Sequence, residues 1–507
     1  MRRTLLALVC GSMVGCAFAQ AAAGSPAAPP ATPPRPEKPG AALADLVLPP
    51  CDYKPDTWIA AGSLQPDLEA GRFDAVEAVL EEFHASYERN AACERRMLWT
   101  FEHGFAGTPE TLRAGFDRWV AARPEAWTAW TLRGLYWVDE AYRRRGGGWA
   151  KDVDPARMER MHAALARAAP DLERAHELRP GSVVPYIGRI AVHRARGEAN
   201  AVERTLRNGL TADPRSVELR LRAIAALAPW WGGNLASIAA VVANARSELQ
   251  RNPRLARVFG HLDGMRADDL LRGPPQPDSA LRRIALYSAA LRFNEVASDW
   301  HYQRAKAYID AKAYELALLD ISWGLEARPD VWWWWEVKAT ALNRSGRGDE
   351  ALAVLAAAAA RFPENPQFPW FEARIARGLK RYGESARACR KALALDRPES
   401  PLSESTRASL LRELGEAYLY GERYVAAEEP LRRLTALRPN EARGWVLLGQ
   451  ALWEQGKRDA AALPLRRYLE LSAADESERD TRRRVREKLD EFGLRAPTGA
   501  QRPRSGG

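Results

Sequence analysis

The sequence predicts an all-α solenoid of antiparallel helix pairs, and three observations carry that prediction. Pro180 and Pro214 lie 34 residues apart, and Pro329 and Pro363 repeat the interval. Small or apolar residues stand twelve, eight and five positions before each of these prolines, as in Ala317, Ile321 and Gly324 before Pro329. Five or more copies keep one frame, and 34 residues is the period of a helix–turn–helix repeat. A stack of such units presents a binding surface rather than a reaction centre.

The first element is a targeting segment. Arg2 and Arg3 precede an apolar run from Leu5 to Val14, followed by Ala17-Phe18-Ala19. A basic start, a short apolar run and an A-x-A end predict a secretory signal peptide over residues 1–19, and a periplasmic or secreted protein. A second reading is an outer-membrane lipoprotein, because Met13-Val14-Gly15-Cys16 resembles a lipoprotein box with Cys16 as the lipidated residue. Ala17 and Ala19 favour plain secretion. No later stretch is long and apolar enough to predict a transmembrane helix. Residues 20–57 are rich in Ala and Pro. Proline removes amide donors and fixes φ, so this stretch is predicted to be a disordered linker.

The repeats come next, in a divergent helical-repeat domain over 58–260 and a better-defined array with a capping helix over 298–490. Between them, 261–297 reads as an irregular connector with a Gly273-Pro274-Pro275-Gln276-Pro277 loop, and 491–507 as a disordered tail. In the last copy Trp445, Leu448, Gly449, Leu452, Ala461, Leu465 and Tyr468 follow W-x2-L-G-x2-L and A-x3-L-x2-Y. Gly449 and Ala461 are small where two helices must approach, and the leucines fill the space between them. Gly456 gives the chain reversal a permissive backbone. Earlier copies pass through Leu411, Leu414, Gly415, Tyr418 and Ala427, through Trp335, Ala339, Leu342 and Ala351, and through Tyr186, Ile190, Val202 and Leu206.

These residues resemble the tetratricopeptide repeat family. That resemblance covers most of residues 92–475, and is strongest after 298. It implies a right-handed superhelix of helix pairs whose concave groove binds a peptide or protein. Trp127, Trp130, Gly134, the Gly146-Gly147-Gly148-Trp149 loop and Pro229-Trp230-Trp231-Gly232-Gly233 give residues 67–260 a second resemblance. It is to a bacterial domain of unknown function that often carries a Pro-x-Trp-Gly-Gly segment, and it implies no chemistry.

Composition bounds the partner. The net charge is +10, from 75 basic and 65 acidic residues. Both signs are interspersed, so the excess reads as a bias toward Arg, and no tract predicts a nucleic-acid partner. Among the five cysteines, Cys51 and Cys93 could pair in an oxidising compartment, which sequence alone leaves open. Cys389 occupies an apolar slot and reads as a small buried hydrophobe.

Catalytic motifs are absent: the sequence holds no H-E-x-x-H, no G-x-S-x-G and no phosphate loop, and predicts no cofactor and no enzyme activity. Glu81–His84 and Glu173–His176 share the E-x-x-H spacing of di-iron bundles. Leu172 and Ala175 take the packed slots, so surface charge is the favoured reading. His261, Asp263, Asp268 and Asp269 read as a solvated helix end.

Aromatics are the stronger signal. The run Trp332-Trp333-Trp334-Trp335 turns about 100° per residue on a helix, so its side chains cannot share one core. Trp335 fills the repeat's aromatic slot, and Trp333 falls on the groove side. The other groove slots give Tyr302, Lys306, Trp370, Arg374, Arg377, Arg412, Glu416, Tyr420 and Trp453. Trp, Tyr and Arg are the residues enriched in binding hot spots. Packing between repeats is the competing account of the same set, and the family's Lys/Asn carboxylate clamp is not found. The function predicted is a non-catalytic protein-binding scaffold of the bacterial cell envelope. An envelope enzyme or metal-binding protein using 215–297 is the alternative, and a structural subunit of an envelope assembly the third reading.

Overall fold

Each proline that ends a repeat in the sequence is followed by the start of a new helix in a computed structural model of the chain. The structure describes residues 51, 59–146, 153–274, 276–294, 297–397 and 402–493. Every described residue belongs to one compact unit. The signal peptide, Cys16, nearly all of the linker and the tail beyond 493 lie outside the described residues.

Four helices open the fold: α1 (Gln65–Glu69), α2 (Phe73–Arg89), α3 (Glu94–His103) and α4 (Pro109–Ala122). Three helix pairs follow, α5 (Trp127–Arg145) with α6 (Pro155–Leu178), α7 (Val183–Arg196) with α8 (Ala199–Ala212), and α9 (Val217–Ala226) with α10 (Leu235–Ser247). Next come α11 (His261–Arg272) with α12 (Ser279–Leu291), α13 (Ser298–Asp310) with α14 (Tyr314–Ala327), and α15 (Trp332–Arg344) with α16 (Gly348–Arg361). The last pairs are α17 (Gln367–Gly378) with α18 (Tyr382–Leu393), α19 (Glu404–Tyr420) with α20 (Tyr424–Leu437), and α21 (Ala442–Glu454) with α22 (Arg458–Leu471), closed by α23 (Arg479–Glu491). The described residues contain no β-strand, and the fold is the predicted all-α array.

Residues 261–297 are not the irregular connector that the sequence suggested. They carry α11 and α12, which pack on each other, and α12 packs on α13. The Pro-rich stretch is only the loop between them. Ala267, Ile284, Tyr287, Ala290 and Leu291 give the two helices a buried stripe. With the punctuating proline displaced into that loop, the repeat frame could not reveal the pair.

The first helix of each pair from α13 onward ends in the same backbone motif. Lys312, Gly346, Lys380, Glu422 and Gly456 all have left-handed φ, between 58° and 85°. The next amide donates to the carbonyl five residues back: Ala313 to Tyr308 (2.8 Å), Arg347 to Leu342 (2.9 Å), Arg381 to Ala376 (2.8 Å), Arg423 to Tyr418 (2.8 Å) and Lys457 to Leu452 (3.0 Å). This is the Schellman closure, which satisfies carbonyls that a helix end otherwise leaves orphaned. The 34-residue period is therefore also a period of backbone conformation, from 312 to 346 to 380 and again from 422 to 456.

Within a pair the helices meet where a small residue faces a large one. A β-carbon on Gly449 would lie 2.4 Å from Leu465, and one on Gly415 2.4 Å from Leu431; between pairs, one on Gly324 of α14 would lie 2.2 Å from the Trp334 ring of α15. Between pairs, indoles tie the chain down. Trp130, Trp335 and Trp445 donate to the carbonyls of Pro124 (2.8 Å), Pro329 (3.2 Å) and Pro439 (2.9 Å), each six residues back.

The N-terminal helices do not contact only their sequence neighbours. Tyr87 on α2 donates to Asp213 (2.7 Å), and Arg215 donates to the Glu88 carbonyl (3.2 Å). Buried Glu94 accepts from the Val217 and Glu218 amides (2.9 and 3.2 Å) and from the Ser216 hydroxyl, so α3 supplies a cap for α9. A disulfide joins Cys51 to Cys93 beside α3, with Cα atoms 5.0 Å apart.

Glycine at Lys312, Lys380 or Glu422 should raise stability by about 0.5–1 kcal/mol each, because a β-carbon in the left-handed region is strained. Gly456→Ala should lower it by a similar amount. Urea midpoints of the four variants check both signs.

Candidate binding surface

The first helices of consecutive pairs lie side by side, so residues at matching positions form a continuous strip. On α13, Lys306 Nζ sits 5.4 Å from the centre of the Tyr302 ring. On α17 the Arg374 guanidinium lies 5.7 Å from Trp370, whose ring is 5.6 Å from Phe371. On α15, between them, burial raises the Glu336 carboxyl while Lys306 and Arg374 pull it back down. A cation, a carboxylate and a cation thus run across three helices, flanked by half-buried Tyr302, Trp333 and Trp370. Burial, then Glu336, raises the Tyr302 phenol. Trp370 belongs to none of the hydrophobic clusters among the described residues.

Apart from exposed Tyr420, the remaining predicted groove residues are tied to neighbouring helices. Arg377 donates to Glu413 and lies 3.7 Å from Glu416. Arg443 donates to Glu416 at 3.0 Å, and Arg412 to Glu441 at 2.7 Å. Tyr420 is 47% exposed, with its ring 6.0 Å from Tyr382. Trp453 is buried in the last core cluster with Val485 and Leu489, its ring edge-on to Phe492 at 5.0 Å. The capping helix covers it, which a repeat-by-repeat reading could not anticipate.

Glu336 stands at the slot three residues after Trp333 but is absent from the predicted set, although that set holds another carboxylate, Glu416. Sequence reasoning also passed over Trp334, which is fully buried while Trp335 is half-exposed.

A second concave region lies in the N-terminal half. His84, Tyr87, Glu88, Asp213, Arg215 and Arg251 line an open cleft of about 620 Å³. His84 is not the surface residue expected. It is fully buried, its ring nitrogens lack hydrogen-bond partners, and Glu88 Oε1 is 3.4 Å from Nδ1. Burial holds the imidazole below its ordinary pKa, opposed by Glu88. Its partner in the E-x-x-H motif, Glu81, accepts from the Trp127 indole at 2.5 Å. In the second motif Glu173 is exposed and pairs with Arg189 at 3.0 Å. The 261–269 cluster is a solvated helix end only in part: Asp269 is exposed and Asp263 pairs with Arg266 at the surface, whereas His261 and Asp268 turn inward. His261 packs against Trp300 (4.8 Å), burial pushes its pKa down to about 4, and Asp268 accepts from Tyr287 at 2.7 Å. Among the described residues no group of three or more His, Cys, Asp or Glu could hold a metal ion.

Residues 63–200 match a family model described as a domain of unknown function (DUF4034), and residues 337–400 and 412–476 match the tetratricopeptide repeat model. Both expected resemblances are thus present, although Pro229–Gly233 lies beyond the first match. No curated protein matches the chain. Similar solved structures include yeast Tom70, 11% identical, with 85% of this chain and 94% of that chain covered and a TM-score of 0.39. The C-terminal part of a TPR repeat-containing protein from Cytophaga hutchinsonii is 17% identical, over 45% of this chain and 86% of that chain, with a TM-score of 0.38. The Cut9 and Hcn1 hetero-tetramer of APC/C gives 15%, 83%, 74% and 0.34 for the same quantities.

The buried groups near α9 carry opposite pH signatures. Burial pushes Glu94 up to about 7, with the Glu218 carboxylate adding and the Ser216, Val217 and Glu218 donors opposing. A raised folded pKa gives stability that is present below the unfolded value of about 4.5 and lost as pH climbs toward 7. His84, with its folded pKa lowered, contributes stability that is present above about 6.5 and lost below it. Glu94→Gln should therefore flatten the pH dependence of urea midpoints between 4.5 and 7, by up to about 3 kcal/mol.

Proposed function

We propose that this chain is a non-catalytic scaffold of the bacterial cell envelope that holds a peptide or protein against α13, α15 and α17. Tetratricopeptide repeats support a protein-interaction role, and one observation carries the choice of face. Trp370 keeps a large ring half-exposed outside every hydrophobic cluster among the described residues, with Arg374 over it and the Lys306–Glu336–Arg374 line beside it. Aromatic rings and arginines of this kind make hot spots when a partner excludes water from them. Arg377, Arg412 and Glu416 shape the floor through ion pairs between repeats, whereas Lys306, Trp370 and Arg374 make the contact. The envelope assignment rests on the leader-like start of the sequence and is supported by the Cys51–Cys93 disulfide, since such bonds persist in oxidising compartments.

Cross-linked purification of the full chain from an envelope fraction tests the binding face. Replacing Lys306, Trp370 and Arg374 together by Ala should reduce recovery of a stable partner at least tenfold, each hot-spot truncation costing more than about 1 kcal/mol. Equal recovery with a folded triple variant would remove the assignment. Mass spectrometry of the unreduced protein from the same fraction should find Cys51 linked to Cys93; free thiols at both would argue for a reducing compartment.

A further inference from the structure

The turns that close the helix pairs carry a side-chain pattern that the inner face does not use. Five of them share one left-handed slot, held by Lys312, Gly346, Lys380, Glu422 and Gly456. Glycine takes that slot without strain, so Lys380 (φ 61°) and Glu422 (φ 58°) hold charged side chains there against the preference of the backbone. Both side chains are exposed, and neither has a hydrogen-bond or ion-pair partner among the described residues. Their two turns abut. A β-carbon on Gly421 would lie 3.1 Å from the Tyr382 β-carbon, and the Tyr382 and Tyr420 rings are 6.0 Å apart.

Seven large hydrophobic side chains are exposed among the described residues, and three of them stand at these two turns: Leu379 (38%), Tyr420 (47%) and Val425 (75%). Single exposed hydrophobics are ordinary, but a patch of them marks a contact. Tyr420 is held in place, since its hydroxyl accepts from Arg443 and Tyr382 stands beside its ring. The charges of the two turns balance. Lys380, Arg381 and Arg423 stand against Glu384, Glu422 and Asp349, which takes Arg381 at 2.6 Å, while Arg423 lies 5.3 Å from the Tyr418 ring. Arg377 and Arg443, which flank Tyr420, are tied to Glu413 and Glu416. The edge is therefore neutral on a chain whose net charge is +10. Two such chains repel on average and can meet where that charge is cancelled.

We propose that this edge, formed by the closing turns of α17–α18 and α19–α20, joins two copies of the chain in an antiparallel two-fold dimer. A two-fold interface must be complementary to itself, each residue meeting on the second copy what it meets in return. Neighbouring turns with opposite, unpaired charges at one slot satisfy that condition. A two-fold axis across the edge, midway between the turns, sets Lys380 of each copy against Glu422 of the other. Leu379, Tyr420 and Val425 of both copies then close around the two pairs. The next slots outward, Gly346 and Gly456, come to face each other and carry no side chain to hold the copies apart. An unrelated partner would not need the opposite charges to stand at matching positions on adjacent turns. Neither Lys306, Trp370 nor Arg374 belongs to this edge, so either assignment can fail alone.

Sedimentation equilibrium of the full chain over a concentration series tests the proposal. The parent should form a concentration-dependent dimer that weakens with salt. Lys380→Glu and Glu422→Lys each set like charges against one another twice, and each should lower the association constant by at least about tenfold. Mixed in equal amounts, the two variants should recover it, because opposite charges then face each other at both contacts. Recovery in the mixture also shows that both variants fold. Val425→Ser, which removes an exposed apolar group, should lower the constant by at least about fivefold. Lys306→Ala/Trp370→Ala/Arg374→Ala should leave it unchanged. Because the N-terminal segment is identical in all variants, any association of its own cancels in the ratio. A parent that stays monomeric up to its solubility limit, variants that associate like the parent, or a mixture no tighter than either variant alone would overturn the proposal.

Discussion

The array depends on how each helix pair is closed. A first helix can turn back on itself only if its last carbonyls are satisfied within a very short turn, and the left-handed residue with its following amide does this five times from α13 onward. That closure fixes where the second helix begins, so the contact positions of each pair follow: Gly415 beneath Leu431, Gly449 beneath Leu465. Because turn and contact repeat together, the first helices line up and their side chains fall at constant offsets. The ion pairs between neighbours, Arg377 with Glu413, Arg412 with Glu441 and Arg443 with Glu416, are consequences of that register. They also explain why a strip rich in arginine has few arginines to offer: intermediate burial and pairing commit several of them to the neighbouring repeat.

The two halves hold together differently. From Leu64 to Phe259 the buried apolar residues form a single cluster, whereas after residue 260 they divide into four successive ones. Successive clusters are what a nearest-neighbour stack produces. The single N-terminal cluster is reinforced by contacts more than a hundred residues apart in sequence, Tyr87 with Asp213 and Glu94 with Ser216. Those contacts place a carboxylate and an imidazole where water is scarce. Their pH signatures run in opposite senses because burial disfavours charge in both, raising an acid and lowering a base. The N-terminal half should therefore unfold as a unit, while the C-terminal pairs can fray individually from the capped end.

The repeat frame was legible because the residues that define it are small, apolar or proline, and each has one physical use in a helix pair. It failed at 261–297 because the proline that normally marks a repeat end sits instead between α11 and α12. It failed for Trp453 because what covers that ring is α23, which is not a repeat. His84 was misread because a histidine at the edge of an apolar helix face can point either way, and only the fold-back of α2 onto the 213–215 loop decides it. Glu336 was legible by position, three residues after Trp333 in the frame that also picked out Glu416. The disulfide partners were visible as a pair, but no spacing in the sequence shows that residues 51 and 93 meet.

The four consecutive tryptophans show how one helix can join two cores. Trp333 and Trp334 pack with Tyr308 and Ile321 on the preceding side, and Trp332 and Trp335 with Leu342 and Leu355 on the following side. On a helix such a run sweeps the whole circumference, so no single core could accept it; two cores, one on each side, can. The first turn of α15 has no side-chain cap, and the Trp335 indole instead holds the incoming chain through the Pro329 carbonyl. The same bond recurs at Trp130 and Trp445, where no tryptophan run is present. Trp335 is thus the repeated part and its three neighbours the local addition. Trp334 fills the space above Gly324, and Trp332 and Trp333 meet edge to face, 5.9 Å apart, at the helix start. Aromatic mass is therefore concentrated where α15 joins its neighbours, stiffening the very repeat that lies between Lys306 and Arg374. A surface strip that must keep a carboxylate aligned between cations on two other helices needs its middle helix to be the least mobile, and this junction supplies that constraint.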